Sequence, residues 1–166
     1  MPTLPVDDVE LYYEWHGNPA GPVVVFVNGL LTDLASWAGH LPFFTDRYHC
    51  LVYDCRGQGQ SAKPDHVYTI RRHSADLAGL LAALGIARAA IVGLSNGGAT
   101  ALDFAAAQPA RVTALVVALR RAHDLADAID ARGGFGVVSD SQSRPGPGDA
   151  VAMLIVAGVA LAALFG

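Results

Sequence analysis

One serine in this chain stands where a serine can do chemistry. The run Ile91-Val92-Gly93-Leu94-Ser95-Asn96-Gly97-Gly98 places it in a G-x-S-x-G pentapeptide. The pentapeptide directly follows a β-branched run and opens an Ala-rich helical pattern. That context predicts a strand-to-helix turn sharp enough to strain the Ser95 backbone and to lift its hydroxyl clear of a sheet edge. Gly93 and Gly97 are what such a turn demands, because a side chain at either would collide with the neighbouring strand or helix. The Asn96 amide would point to where negative charge forms on an attacked carbonyl, aided by the helix N-terminus. The implied chemistry is nucleophilic attack on an acyl carbon. It is complete only with a base for the serine and a carboxylate to orient that base.

The elements that must hold Ser95 follow from the apolar pattern. Val23–Val27, Cys50–Tyr53, Ala89–Val92 and Val112–Val117 are continuous apolar runs, as strands buried on both faces require. Residues 8–16 alternate like a half-exposed strand that ends at Gly17-Asn18-Pro19. Leu77, Leu80, Leu81 and Leu84 recur at helical spacing before Gly85, and Asn96 to Gln108 reads as a helix stopped by Pro109. Buried strands alternating with helices predict an α/β fold: a mostly parallel sheet with helices on both faces. The ends of the strands carrying Asn28-Gly29 and Ser95 should then meet, within about 10 Å, where open α/β sheets place ligands. Three segments are expected: a core over residues 1–140, a Ser/Pro/Gly linker over 141–149, and an apolar segment over 150–166.

Composition excludes several classes of function. With 166 residues, 52% of them apolar and 16% charged, the chain has the apolar content of a folded domain. A net charge of −4 with scattered basic residues excludes a nucleic-acid surface. Cys50 and Cys55 bracket a strand and lie too far apart to pair, so both are expected reduced. With no basic or apolar leader at the N-terminus, this points to the cytoplasm. No Cys/His cluster has metal-ligand spacing, and the elbow is not G-x-G-x-x-G, so neither a metal nor another cofactor is expected. The seventeen uncharged residues from Ala150 to Gly166 would make a helix about 25 Å long, short of a ~30 Å hydrocarbon core. They are read as covering a sheet edge rather than as a membrane anchor.

Two further motifs agree with the elbow. Val27-Asn28-Gly29-Leu30 closes the first buried strand, with Trp37 eight residues after Gly29. Tyr53-Asp54-Cys55-Arg56-Gly57-Gln58-Gly59-Gln60-Ser61 closes the second. In these residues the chain resembles the α/β-hydrolase superfamily, within it the esterase, enol-lactonase and haloperoxidase-like branch. That branch has a His-Gly pair and a later Trp after its third strand, an Asp-x-Arg-Gly-x-Gly-x-Ser loop after its fourth, and the elbow after its fifth. The resemblance covers about residues 5–118. It implies Ser95 as nucleophile, the Leu30 and Asn96 amides as the oxyanion hole, and Gly29 as the residue that lets substrate approach. It implies that Asp54 and Arg56 brace a loop behind the site; a surface turn with a local ion pair is the alternative. Trp37 is read as packing. Asn28 departs from the family's usual His, a variant also found in acyl-transferring relatives.

The resemblance also implies an acid and a histidine after the sixth strand, which here is Val112–Val117. Residues 119–166 number 48, whereas two more strand–helix units need roughly 60. The catalytic histidine is therefore not recognisable, and the chain reads as the front part of such an enzyme, stopping after the sixth strand. His123 and Asp124 remain the candidates for base and acid, on a helix whose other reading is a solvated face with His123 and Asp127 as an i,i+4 pair. His16, His40, His49, His66 and His73 are read as structural or exposed. The expected activity is hydrolysis of a small ester, lactone or acyl compound. The alternatives are a non-catalytic binding module of the same fold and an acyltransferase using the same serine. The pattern carries no reading of oligomeric state.

Overall fold

Pro2 and Pro5 make the N-terminus look unlike a strand, yet Thr3–Val6 forms β1. It sits on the sheet edge, the one place where a proline's missing N–H does no harm. A two-residue turn, Asp7-Asp8, joins it to β2, Val9–Gly17, with Val6 opposite Val9. This computed structural model describes residues 2–118. The expected stop after the sixth strand, the 141–149 linker, the 150–166 segment, His123 and Asp124 all lie outside the described residues.

Four further strands follow: β3 Val23–Val27, β4 His49–Tyr53, β5 Ala89–Leu94 and β6 Val112–Ala118. The order across the sheet is β1-β2-β4-β3-β5-β6. β1/β2 and β2/β4 pair antiparallel, while β3/β4, β3/β5 and β5/β6 pair parallel. The sheet is therefore mostly parallel, as the apolar runs predict.

Period-two alternation sorts the buried strands onto two faces. Val25, Val27, Leu51, Tyr53 and Ile91 face one side, where they pack with Leu77, Leu80, Leu81 and Phe104. Those partners lie on two packed helices, α1 Ile70–Ala83 and α2 Asn96–Ala107. Val24, Phe26, Cys50 and Val52 face the other side, against Trp37 and Leu41. Among the described residues the cover here is two 3-10 turns, Leu34–Trp37 and Leu41–Phe43. Thr69 caps α1 by accepting from the Arg72 amide, and Gly85 ends it at φ +70°.

From β3 the chain leaves to β4 on one side and later returns to β5 on the other. That reversal opens a crevice at the carboxyl ends of β3 and β5. The register sets Val27 opposite Gly93, so the loops leaving both strands start side by side.

Candidate active site

Ser95 occupies the single residue between β5 and α2, with φ 54° and ψ −116°. A non-glycine residue there costs about 1–3 kcal/mol and persists only where its surroundings enforce it. The enforcement is steric. A Cβ on Gly97 would lie 2.2 Å from the Val27 carbonyl oxygen, and one on Gly93 would lie 2.4 Å from the Gly97 oxygen. Ser95 stands at the N-cap position of α2 but makes no capping bond, so its hydroxyl is not spent on the helix.

The loop after β3 comes up beside it. A Cβ placed on Gly29 would be 3.6 Å from Ser95 Cβ and 3.4 Å from the Leu94 carbonyl oxygen. Neither the Leu30 nor the Asn96 amide donates to an acceptor among the described residues. Both residues line a cavity of about 830 Å³, together with Leu31, Gln58, Tyr68 and His73. Ser95 lies next to this lining rather than in it.

Asn28 is fully buried, and its Oδ1 accepts from Trp37 Nε1 at 2.7 Å. Trp37 packs on Phe26, and its ring N–H fixes the Asn28 side chain. Asn28 Nδ2 has no partner among the described residues.

Asp54 and Arg56 are both buried, although Gly59 and Gln60 of the same loop are exposed. They do not pair with each other. Asp54 accepts from the Leu34 amide at 2.7 Å and the Gln60 amide at 2.8 Å, tying the loop after β3 to the loop after β4. Arg56 forms a bidentate pair with Asp76 of α1, both bonds 2.6 Å, with side chains 0% and 4% exposed. Its Nη2 also reaches Asp8 at 2.8 Å, and its Nη1 meets His66 Nε2 at 3.0 Å. Asp76 foremost, and then Asp8, hold the Arg56 guanidinium above its ordinary pKa. Hydrogen bonds from Arg56 and then Arg72 hold Asp8 well below the usual carboxylate range.

No hydrogen bond joins Ser95 to a histidine among the described residues. His16 bonds to Glu14, His40 lies edge-on to Trp37, and His49 stacks on Trp15. His73 is buried on α1 in the cavity wall, its Nδ1 without a partner, and burial lowers its pKa. Its place in the wall could not be read from spacing. The described residues hold no group of acidic, His or Cys side chains able to bind a metal, and no helix long and apolar enough to cross a membrane. Sequence reasoning passed over Gln58, which lies inside a motif that had been recognised. Its Nε2 donates to the Gly29 carbonyl at 3.0 Å.

A family model described as the alpha/beta hydrolase fold matches residues 22–133. The chain is 36% identical over 116 residues to 3-oxoadipate enol-lactonase 2 of Acinetobacter baylyi, across 70% of this chain and 43% of that protein. Among solved structures it resembles the enol-lactonase from Burkholderia xenovorans LB400, with 29% identity, TM-score 0.69, and 95% of this chain against 65% of that one. It also resembles Est816, an N-acyl homoserine lactone degrading enzyme, with 34% identity, TM-score 0.65, and coverage of 70% and 44%. The chain thus spans less than half the length of that Acinetobacter baylyi relative.

Proposed function

This chain belongs to the α/β-hydrolase family, and from that premise we propose that it is a serine hydrolase of small esters or lactones, with Ser95 as its nucleophile. One observation carries the reading. Ser95 is held at φ 54° on the turn between β5 and α2, with the Gly29 backbone alongside. Strain of this kind persists where it aims a group outward. The Leu30 and Asn96 amides, unused by the backbone, would take up the charge on the attacked carbonyl oxygen. The lactone and enol-lactone activities named for its relatives supply the substrate class. Asp54 and Arg56 would brace the loop behind the nucleophile. Cys50 and Cys55, free and buried, support a reducing compartment, taken here as the cytoplasm.

His123 as base and Asp124 as acid belong to the same proposal; both lie outside the described residues. Without a base the Ser95 hydroxyl stays protonated and attacks poorly. In subtilisin, removing the base costs about 10⁶ in kcat, while a residual of roughly 10³–10⁴ over water remains. If His123 does not serve as that base, slow turnover of p-nitrophenyl acetate is the result for the 166-residue chain.

Labelling with a fluorophosphonate is the direct test. Stoichiometric labelling at Ser95, lost in Ser95→Ala and in His123→Ala, would support the full assignment. The second reading is a binding module that keeps the fold without the catalysis. No labelling, with Ser95→Ala changing ester turnover by less than about tenfold, would favour it.

A further inference from the structure

We propose that Gln58 and Thr32 are positioning residues that clamp the Gly29 carbonyl from two sides and thereby aim the Leu30 amide toward Ser95. The Gly29 oxygen accepts from Thr32 Oγ1 at 2.9 Å and from Gln58 Nε2 at 3.0 Å. A carbonyl has two lone-pair sites, so both are filled. In a trans peptide the C=O of one residue and the N–H of the next point in opposite directions in one rigid plane. Holding the Gly29 oxygen into the protein therefore turns the Leu30 N–H the other way. Leu30 and Asn96 both line one cavity, the side on which the oxyanion would form.

Among the described residues, Thr32 and Gln58 supply the hydrogen bonds to this carbonyl. Gly29 has no side chain, and Leu30 and Leu31 are 62% and 92% exposed, so no apolar anchor sits at this turn. Leu31 is in the left-handed region at φ 59°, a conformation a leucine adopts only under constraint. Upstream, Asn28 is fixed by Trp37; downstream, the Leu34 amide is fixed by Asp54. Among the peptides between these anchors, the one joining Gly29 to Leu30 is the one both side chains grip. Gln58 Oε1 has no partner among the described residues, so the Gly29 bond is what orients the Gln58 head.

The aim matters for catalysis only if the Leu30 amide serves as an oxyanion donor, so this inference rests on the hydrolase reading. The two can fail separately. The test uses the 166-residue chain labelled with ¹⁵N-leucine, with variants Gln58→Leu, Gln58→Glu and Thr32→Val. Gln58→Glu keeps the shape but sets a carboxylate with no donor against the carbonyl, and it stands in should Gln58→Leu fail to fold.

The residual dipolar coupling of the Leu30 N–H, in a weakly aligned sample, reports the direction of that bond. A change at Leu30, with the other leucine couplings preserved, is the expected result in both Gln58 variants and in Thr32→Val. General destabilisation would not move one vector alone. Titration with n-butylboronic acid, which bonds through boron to a serine oxygen, is the parallel readout. Binding to the wild type and about tenfold weaker binding to each Gln58 variant are expected, the loss of roughly one hydrogen bond's worth of aim. An unchanged Leu30 coupling in the Gln58 variants would overturn the clamp whatever the boronate does. No boronate adduct on wild-type Ser95 would overturn the hydrolase reading and leave the coupling to judge the clamp.

Discussion

The turn after β5 and the loop after β4 are both rigid, and they are made rigid by different physics. At Ser95 the constraint is exclusion: Gly93 and Gly97 are bare so that backbones can approach to distances no side chain would tolerate. In Asp54–Ser61 the constraint is a buried polar network. Asp54 gathers two amides, Ser61 Oγ donates to the Asp54 carbonyl at 2.6 Å, and Arg56 answers Asp76 and Asp8. A steric turn suffers when atoms are added to it, whereas a polar network suffers when they are taken away. Only the second depends on solution conditions.

The largest effect is expected in the network. Asp76→Ala leaves a fully buried guanidinium with Asp8, which is partly exposed, as its remaining carboxylate beside His66, and should cost about 3–5 kcal/mol. The urea midpoint measures it. The sharper form is the pair: Arg56→Met with Asp76→Leu removes both charges and should recover most of that loss. If the double variant is as unstable as Asp76→Ala, the network is not acting through charge.

Next comes the turn. Gly97→Ala places a methyl 2.2 Å from the Val27 oxygen and should destabilise by about 1–3 kcal/mol as the strand and helix are pushed apart. No second substitution at a charged site should rescue it. A smaller effect of opposite sign is expected from Ser95→Gly, which relieves the positive φ and should raise stability by about 0.5–1 kcal/mol while removing the proposed nucleophile. Loss of stability in that variant would mean the Ser95 side chain is holding the turn.

The smallest effects are those of pH, and they should fall in two separate windows. Asp8 binds its proton less readily in the folded chain than in the unfolded one, chiefly because Arg56 holds it ionised. Its contribution is therefore present above the ordinary carboxylate range and is lost as pH falls below about 4. His73, whose pKa is lowered by burial, is protonated more readily in the unfolded chain. It should make stability fall as pH drops below about 6.5. Asp8→Asn should flatten only the acid limb, and His73→Gln only the limb near neutrality. Guanidinium unfolding from pH 3 to 8 reads both; one variant flattening both limbs would show that the two sites are coupled.

The same contrast decides what could be read before folding. Three buried strands, two helices, Ser95 and its two glycines were legible from the residues alone; Val112–Val117 is a strand as expected but not a buried one, with Thr113 and Val116 exposed. Apolar period and turn sterics act within a few positions, and each leaves its mark in adjacent letters. β1 was not legible, because its prolines look like strand breakers until the strand is seen to lie on an edge. Nor were the partners of the β4 loop. Arg56 is answered by residues 20 and 48 positions away, Gln58 grips a carbonyl 29 positions away, and Trp37 holds Asn28 across nine. A hydrogen bond exists only within about 3 Å and a narrow angle. Which distant groups meet that demand is set by strand register and helix packing, so it was left for the tertiary structure to decide.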